Sequence, residues 1–148
     1  MLILKISLAN NSFGIDVNEI IEVIPWVNCQ KINFAPKYVL GIINYRDQLV
    51  PVIDLVHLLN EVSATNKISS RIIITKYEFE QKDYLVGMLA ENIVETEFVD
   101  ESTLISNNLN FKNIKFLGAY AKNDDSYLQI LILKQIIDKS LKKYFSGL

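Results

Sequence analysis

The chain has 148 residues, of which 50% are hydrophobic, and a formal net charge of −2 from 15 basic and 17 acidic residues. This composition predicts one compact folded unit, or two very small ones that share a core, and favours a globular chain over a disordered one. The balance of charge argues against general nucleic-acid binding, which needs many lysines and arginines to neutralise phosphates. Apolar runs are too short to span a membrane, and no signal peptide is recognisable, so we expect a cytoplasmic protein.

Cysteine and histidine are scarce, which limits the chemistry that the chain can support. Cys29 and His57 are each the single residue of their type, so an internal disulfide and a zinc site built from several such ligands are excluded. A lone cysteine fits a reducing compartment. A serine–histidine–aspartate triad stays open on composition alone, although the sequence has no nucleophile elbow and no glycine-rich phosphate loop. We therefore predict no enzyme, no cofactor and no metal.

The first half of the chain reads as short strands. Residues 2–17 predict a hairpin that turns at 10–12, and residues 36–55 predict a second hairpin with a polar tip at 44–48. Pro51 lies inside the last strand of this half and cannot donate to a central ladder, so we expect an edge strand or a bulge there. The polar residues 61–70 predict a surface loop.

The second half repeats this organisation. Residues 71–75 and 84–89 predict one strand pair, and residues 116–120 and 127–133 predict another. The chain ends on a helical stripe formed by Leu133, Ile137, Leu141, Tyr144 and Leu148.

A weak internal repeat links the two halves. Gly14 is followed by Ile20 and Glu22, and Gly87 is followed by Ile93 and Glu95 at identical offsets. Each half then continues with a strand pair that contains a glycine and ends in a helical segment. The pattern suggests two similar small β units.

Two polar side chains of the central hairpin carry the functional interest. Asp54 ends an apolar strand before a helical turn, where aspartate is a favoured N-cap, and we prefer this role to acid–base chemistry. Arg46 lies at the hairpin tip beside apolar strands. From the residues alone, it is equally well a solvated turn residue or a guanidinium held by hydrogen bonds to carbonyls or to a partner.

Several motifs resemble those of one family, the CheW-like adaptors of bacterial chemosensory arrays, from about Leu2 to about Ile137. In the first half these motifs are Phe13-Gly-Ile-Asp-Val17, Ile20-Ile-Glu-Val-Ile24, Pro36, Gly41-Ile-Ile-Asn-Tyr-Arg46 and Leu49-Val-Pro-Val-Ile-Asp-Leu55. In the second half they are Arg71-Ile-Ile-Ile74, Val86-Gly-Met-Leu-Ala-Glu-Asn-Ile-Val-Glu95 and Phe116-Leu-Gly118. The Asn-Tyr-Arg variant looks closest to adaptors of Wsp-type pathways.

The resemblance implies an all-β fold of two packed five-stranded SH3-like barrels, with short helical segments and a C-terminal helix. It implies a single CheW-like domain over residues 1–148, with one subdomain at about 13–60, a second at about 70–130, and the termini completing the barrels. The implied function is that of a non-enzymatic signalling adaptor. Its implied partners are the cytoplasmic tip of a chemoreceptor and the regulatory domain of a histidine autokinase, with no nucleic acid and no membrane insertion.

The resemblance also assigns roles to residues. Positions that match the family's receptor contacts are Ile20, Glu22 and Arg46. Positions that match its structural motif are Gly41, Asn44, Pro51 and Asp54.

The chain departs from the family pattern at two places. Asp47 follows Arg46 where the family usually has glycine, and it places beside Arg46 a carboxylate with which the guanidinium can pair. Leu133 stands at the end of the last strand, where the family often has an acid or asparagine. A small β-barrel module for nucleic acid or protein, unrelated to chemosensing, is the alternative interpretation.

Overall fold

The computed structural model describes residues 1–60 and 68–142, and it contains in them ten strands, two α-helices and two 3₁₀ turns. The strands of the first half are β1 (Leu2–Leu8), β2 (Asn11–Asp16), β3 (Ile20–Pro25), β4 (Val39–Tyr45) and β5 (Gln48–Asp54). Those of the second half are β6 (Arg71–Phe79), β7 (Lys82–Ala90), β8 (Asn92–Phe98), β9 (Leu117–Asn123) and β10 (Ser126–Leu131). The helices are α1 (Leu55–Asn60) and α2 (Leu133–Ser140), and the 3₁₀ turns are Val17–Glu19 and Glu101–Thr103.

Tight turns join the first two strands of each half and also β4 to β5. Two-residue turns of this kind need positive φ at both positions, so that their twist matches that of the strands. The residues with positive φ at these turns are Ala9, Asn10, Arg46, Asp47, Glu80 and Gln81.

The strands form two five-stranded sheets. The first sheet has the order β8-β1-β2-β10-β9, and the second has the order β3-β6-β7-β5-β4. Within each sheet one neighbouring pair is parallel, β10 with β2 and β5 with β7. The predicted all-β fold of two five-stranded units is confirmed.

Residues 61–67 of the predicted surface loop and subdomain boundary lie outside the described residues, and each sheet combines strands from both sides of 61–70. The second sheet runs from β3 to β7 and therefore includes strands from both sides of that stretch. The first sheet combines β1 and β2 with β8, β9 and β10. The physical reason is an exchange of strands. The β4–β5 hairpin of the first half pairs with β7 of the second half, and the β9–β10 hairpin pairs with β2 of the first half.

One hydrophobic core joins the two sheets. It contains Leu4 and Ile15 of the first sheet together with Ile53 and Met88 of the second, and all four are at most 7% exposed. Helix α2 closes this core with four side chains, Leu133, Ile136, Ile137 and Ser140. Its predicted continuation to Tyr144 and Leu148 lies outside the described residues.

Of the two alternatives predicted for the strand with Pro51, the edge position is wrong, because β5 lies between β7 and β4, but a β-bulge does interrupt the β4–β5 pairing between Val39 and Gly41. Pro51 faces Ile42 of β4, and pairing with β7 begins only at Val52. Counting from the two-residue turn, the Ile42–Pro51 pair is one in which the backbone groups do not bond to each other. The position where the N–H of Pro51 would be therefore points toward β7, whose pairing with β5 begins only at the next residue, so no hydrogen bond of the sheet is lost.

We expect Ile53→Ala to lower the free energy of unfolding by about 2–5 kcal/mol, because this side chain is 0% exposed in the shared core. Leu49→Ala on the same strand is the matched control, since Leu49 is 71% exposed. It should change the free energy by less than about 0.5 kcal/mol. Denaturant titration measures both, and equal losses would contradict the assignment of the core.

The strand exchange makes a second expectation testable. A fragment of residues 1–60 should not unfold cooperatively, because β5 lacks β7 and β2 lacks β10. Mixing it with a fragment of residues 68–148 should restore the missing pairs and recover the far-ultraviolet circular dichroism of the intact chain. A cooperative transition of the first fragment alone, like that of the full chain, would overturn the shared core.

Candidate functional site

Strand β3 is an edge of the second sheet, and a β-bulge lies between Ile20 and Glu22. Bulges re-aim side chains, and they occur often beside functional sites. Glu22 is half-buried, while the apolar side chains of Ile21 and Val23 are 47% and 36% exposed. Ile20 instead packs partly against the shared core. The bulged edge therefore presents one acid between two exposed aliphatic residues.

The β4–β5 turn holds Arg46 and Asp47 with φ of +49° and +64°. The side chain of Asn44 stabilises this turn, because its Oδ1 accepts a hydrogen bond from the Asp47 N–H at 3.1 Å. A glycine would adopt the conformation of residue 47 without strain, which aspartate tolerates less well. The structure thus gives Asn44 a structural role and leaves Arg46 projecting from a fixed turn.

Glu22, Tyr45 and Arg46 meet at the gap between the two edge strands, and we call them the Glu22 cluster. The Tyr45 hydroxyl and the Nη2 of Arg46 both donate to Oε2 of Glu22, the latter at 3.1 Å. The guanidinium carbon of Arg46 lies 5.2 Å from the centre of the Tyr45 ring. The hydrogen bond to Glu22 raises the pKa of the Tyr45 hydroxyl. These contacts tie β4 to β3, which share no ladder.

The structure brings together two of the three residues that match receptor contacts, Glu22 and Arg46. Ile20 lies on the same strand but faces the core. The carboxylate that pairs with Arg46 is that of Glu22, whereas no ion pair of the described residues joins Arg46 to Asp47. Sequence reasoning missed Tyr45. Alternation along β4 offers the signal, since it places Tyr45 on the inward face, where a buried hydroxyl needs a partner.

The remaining motif residues shape the scaffold. Gly41 has φ of +141°, and a Cβ there would lie 2.1 Å from the carbonyl oxygen of Gln30. The backbone of Gln30 exchanges two hydrogen bonds with that of Ile42, so only glycine permits this approach. Asp54 is 1% exposed, and its Oδ1 accepts from the N–H groups of Val56 and His57 at 3.0 and 3.2 Å. The predicted N-cap role of Asp54 is confirmed.

A second surface lies beside β4 and β5, next to the shared core that Leu141, Val39 and Tyr84 help to form. It is an apolar groove of about 450 Å³, which we call the Phe34 groove. Its rim carries Ile32, Phe34 and Leu49, which are 40%, 104% and 71% exposed. Phe34 also has φ of +63°, an uncommon conformation for a bulky residue. Exposure and strain together mark this loop as a place for contact with a partner.

The groove has a counterpart on the first sheet. Ile32-Asn-Phe34 precedes Gly41, and Leu109-Asn-Phe111 precedes Gly118, at the same spacing. Phe111 is 94% exposed. A cavity of about 340 Å³ lies at this loop and is lined by Leu109 and Phe111 together with Asn107, Asn110, Lys112, Ile114, Leu117, Tyr120 and Gln129. The internal repeat therefore extends to exposed apolar surfaces.

The single cysteine and the single histidine, Cys29 and His57, lie on different segments, between β3 and β4 and in α1. Cys29 is half-buried, and burial raises the pKa of its thiol. His57 is half-buried on α1. Within residues 1–60 and 68–142, no three side chains of histidine, cysteine, aspartate or glutamate are placed to hold a metal ion. The described helices are all too short or too polar to cross a membrane.

The sequence model of one protein family, described as the CheW-like domain, matches residues 2–141 of this chain. The chain belongs to the CheW-like domain family. Its structure is similar to the crystal structure of the scaffolding protein TtCheW from Thermoanaerobacter tengcongensis, with a TM-score of 0.77 and 29% identity. That match covers 89% of this chain and 84% of the other. None of the curated protein sequences compared with the chain matches it significantly. Family and fold together support the role of a chemotaxis adaptor.

The positive φ of Asp47 in the β4–β5 turn leads to a prediction about stability. Asp47→Gly should raise the free energy of unfolding by up to about 1 kcal/mol, because it relieves the left-handed conformation at a small cost in unfolded-state entropy. Asp125→Gly is the matched control, since Asp125 lies in the β9–β10 turn without positive φ. It should lower the free energy by about 0.5–1 kcal/mol. Thermal and denaturant unfolding of both variants test this, and a loss in both would contradict strain at Asp47.

Proposed function

We propose that this protein is a cytoplasmic, non-enzymatic adaptor, folded as a single domain, that couples methyl-accepting chemoreceptors to a histidine autokinase. The observation that carries the proposal is the Glu22 cluster. Glu22 and Arg46 lie at positions that match the family's receptor contacts, and they form one exposed group at 3.1 Å. Neither residue is needed to fill the core, so their pairing on an open edge favours recognition of a partner.

The receptor surface in this proposal is the bulged edge of the second sheet. The tips of chemoreceptors are helical hairpins with amphipathic helices, which bind to surfaces that combine apolar and polar contacts. Ile21 and Val23, which flank Glu22 on β3, supply apolar area on the more exposed face of this edge strand. The side chain of Arg46 is 72% exposed and can therefore reach a helix laid along this edge.

The kinase surface in this proposal is the Phe34 groove. The resemblance implies that the kinase's regulatory domain has the same fold, so a groove that this chain repeats on both sheets suits a partner built from similar units. Successive residues of β4 point to opposite faces. Tyr45 points to the Glu22 cluster, whereas Ile42 lines the Phe34 groove. Two partners can therefore bind at once.

Two substitutions separate the surfaces. We expect Arg46→Ala to weaken binding of a receptor-tip fragment and to leave binding of the kinase regulatory domain unchanged. Phe34→Ala should do the reverse, because it removes a fully exposed aromatic side chain from the groove. Each loss should reach about tenfold or more if the residue is a hot spot. Both side chains are exposed, so neither change should unfold the protein.

Phe98→Ala is the control for exposed aromatic area, since Phe98 is 84% exposed on β8 and lies outside both surfaces. It should bind both partners like the wild type. Titration calorimetry with the two purified partners measures all three variants. An Arg46→Ala protein that binds every receptor-tip fragment like the wild type would remove the receptor surface. Equal loss of both partners in either variant would contradict separate surfaces.

A further inference from the structure

The Glu22 cluster leaves polar groups open on both sides of its ion pair. Oε2 of Glu22 accepts from Tyr45 and Arg46, while Oε1 accepts from no group in the part of the chain that the structure describes. Arg46 uses only Nη2, and its other N–H groups donate to none of the described residues. The side chain of Arg46 is 72% exposed and that of Glu22 is 38% exposed. An acceptor and a set of donors therefore stand side by side, facing solvent.

Tyr45 holds this arrangement in place. Its ring is 8% exposed and packs in the core of the second sheet with Ile43 and Val50. Its hydroxyl binds the same oxygen of Glu22 that Arg46 contacts, and its ring lies beneath the guanidinium. Both charged side chains are thus fixed from one buried residue, which lowers the entropy lost when a partner binds.

Carboxamide is the side-chain chemistry that fits such a pair. An amide accepts through its oxygen and donates through its nitrogen, so it can bond to Arg46 and to Oε1 of Glu22 together. A partner carboxylate would satisfy Arg46 but would be repelled by Glu22 and by Asp47, the next residue in the chain. A partner ammonium could donate to Glu22 but has no acceptor for the N–H groups of Arg46, so it would satisfy only one member of the pair. An amide carries both a donor and an acceptor and can satisfy both.

We propose that the Glu22 cluster recognises a side-chain amide, of asparagine or glutamine, on the partner helix, and that Tyr45 is the positioning residue that sets this preference. This inference rests on the proposed receptor role of the edge. It adds to that role the chemistry of the contact and a residue, Tyr45, to which the family resemblance assigns no role. Arg46 and Glu22 touch the partner amide directly, whereas Tyr45 acts through them.

The test uses the full chain and a helical-hairpin fragment of a methyl-accepting receptor tip as the probe. Each asparagine or glutamine of the fragment is changed in turn to aspartate or glutamate, and affinity is measured by titration calorimetry. At one position the acidic fragment should bind the wild type about tenfold more weakly, because an amide contact becomes a charge repulsion. Glu22→Gln should recover most of that loss at the same position. If, at every position, the loss of affinity from the acidic fragment and the loss from Glu22→Gln simply add, the amide assignment is overturned.

Tyr45→Phe tests the positioning role. It keeps the buried ring, so the unfolding midpoint should stay close to that of the wild type. The preference for the amide over the acidic fragment should fall about threefold to tenfold, because the carboxylate of Glu22 is no longer held. Tyr38→Phe is the matched control, since it also removes a hydroxyl donor, here from a 3.2 Å bond to the carbonyl of Ser140. It should leave the preference unchanged.

Arg46→Ala distinguishes the two levels of the argument. If this variant binds the unmodified fragment like the wild type, the receptor surface itself is wrong. If it loses binding while no acidic fragment is rescued by Glu22→Gln, the surface stands and the amide assignment falls. If rescue occurs but Tyr45→Phe keeps the full preference, only the role of Tyr45 is wrong.

Discussion

The exchange of hairpins between the two halves of the chain is the constraint on which the rest of the structure depends. Each half supplies a first hairpin to one sheet and a second hairpin to the other, through the parallel pairs of β5 with β7 and β10 with β2. Glycines mark both crossings, because Gly87 faces Val52 and Gly14 faces Ile130. A Cβ at Gly87 would lie 2.8 Å from a side-chain carbon of Ile72 on β6 and 3.3 Å from one of Val52 on β5, so a larger residue would crowd both neighbouring strands. Neither sheet exists without both halves, and the shared core follows from that.

Repetition gives the molecule two equivalent gaps between edge strands, and the two are bridged differently. In the second sheet, Glu22 and Tyr45 span the gap at the surface. In the first, Lys5 donates to Glu95 of β8 at 3.1 Å and to Asn123 of β9 at 3.4 Å. Lys5 is only 8% exposed, and its bond to Glu95 raises the pKa of the ammonium against the opposing effect of burial. Glu22 and Glu95 occupy the same place in the repeat, and both are paired at 3.1 Å, but Glu22 pairs with an arginine whose side chain is 72% exposed and Glu95 with a lysine whose side chain is 11% exposed.

The sequence predicted local features well and long-range pairing poorly. Strand positions, the cap at Asp54 and the internal repeat follow from periodicity and from residue chemistry, both of which act over a few residues. The edge position of Pro51 was wrong, and the pairing of strands across 61–70 was not predicted, because each depends on which strand of the other half comes alongside. The repeat boundary does lie near 61–70, but the sheets cross it. In the candidate site, Glu22 and Arg46 were predicted through the family resemblance, whereas Tyr45 was missed, since its partner is 23 positions away on a strand with which it shares no ladder.

The N-terminus of α2 also depends on a residue from the other half of the chain, through one hydrogen bond. Helix α1 begins after Asp54, whose carboxylate binds the first N–H groups, but the equivalent position before α2 is Ile132, which has no side chain to cap. The sequence comparison had placed this departure at Leu133, one residue too late. Glu19 supplies the missing acceptor, with its Oε2 at 3.4 Å from the N–H of Leu133. Burial raises the pKa of this carboxyl, and the backbone hydrogen bonds of α2 oppose the shift. Because Thr75 also donates to the carbonyl of Glu19 at 2.5 Å, the segment that leads into β3 is anchored by α2 and β6 together. Glu22 follows Glu19 by three residues. The position of the exposed edge strand β3 therefore depends on α2, a helix of the other half of the chain.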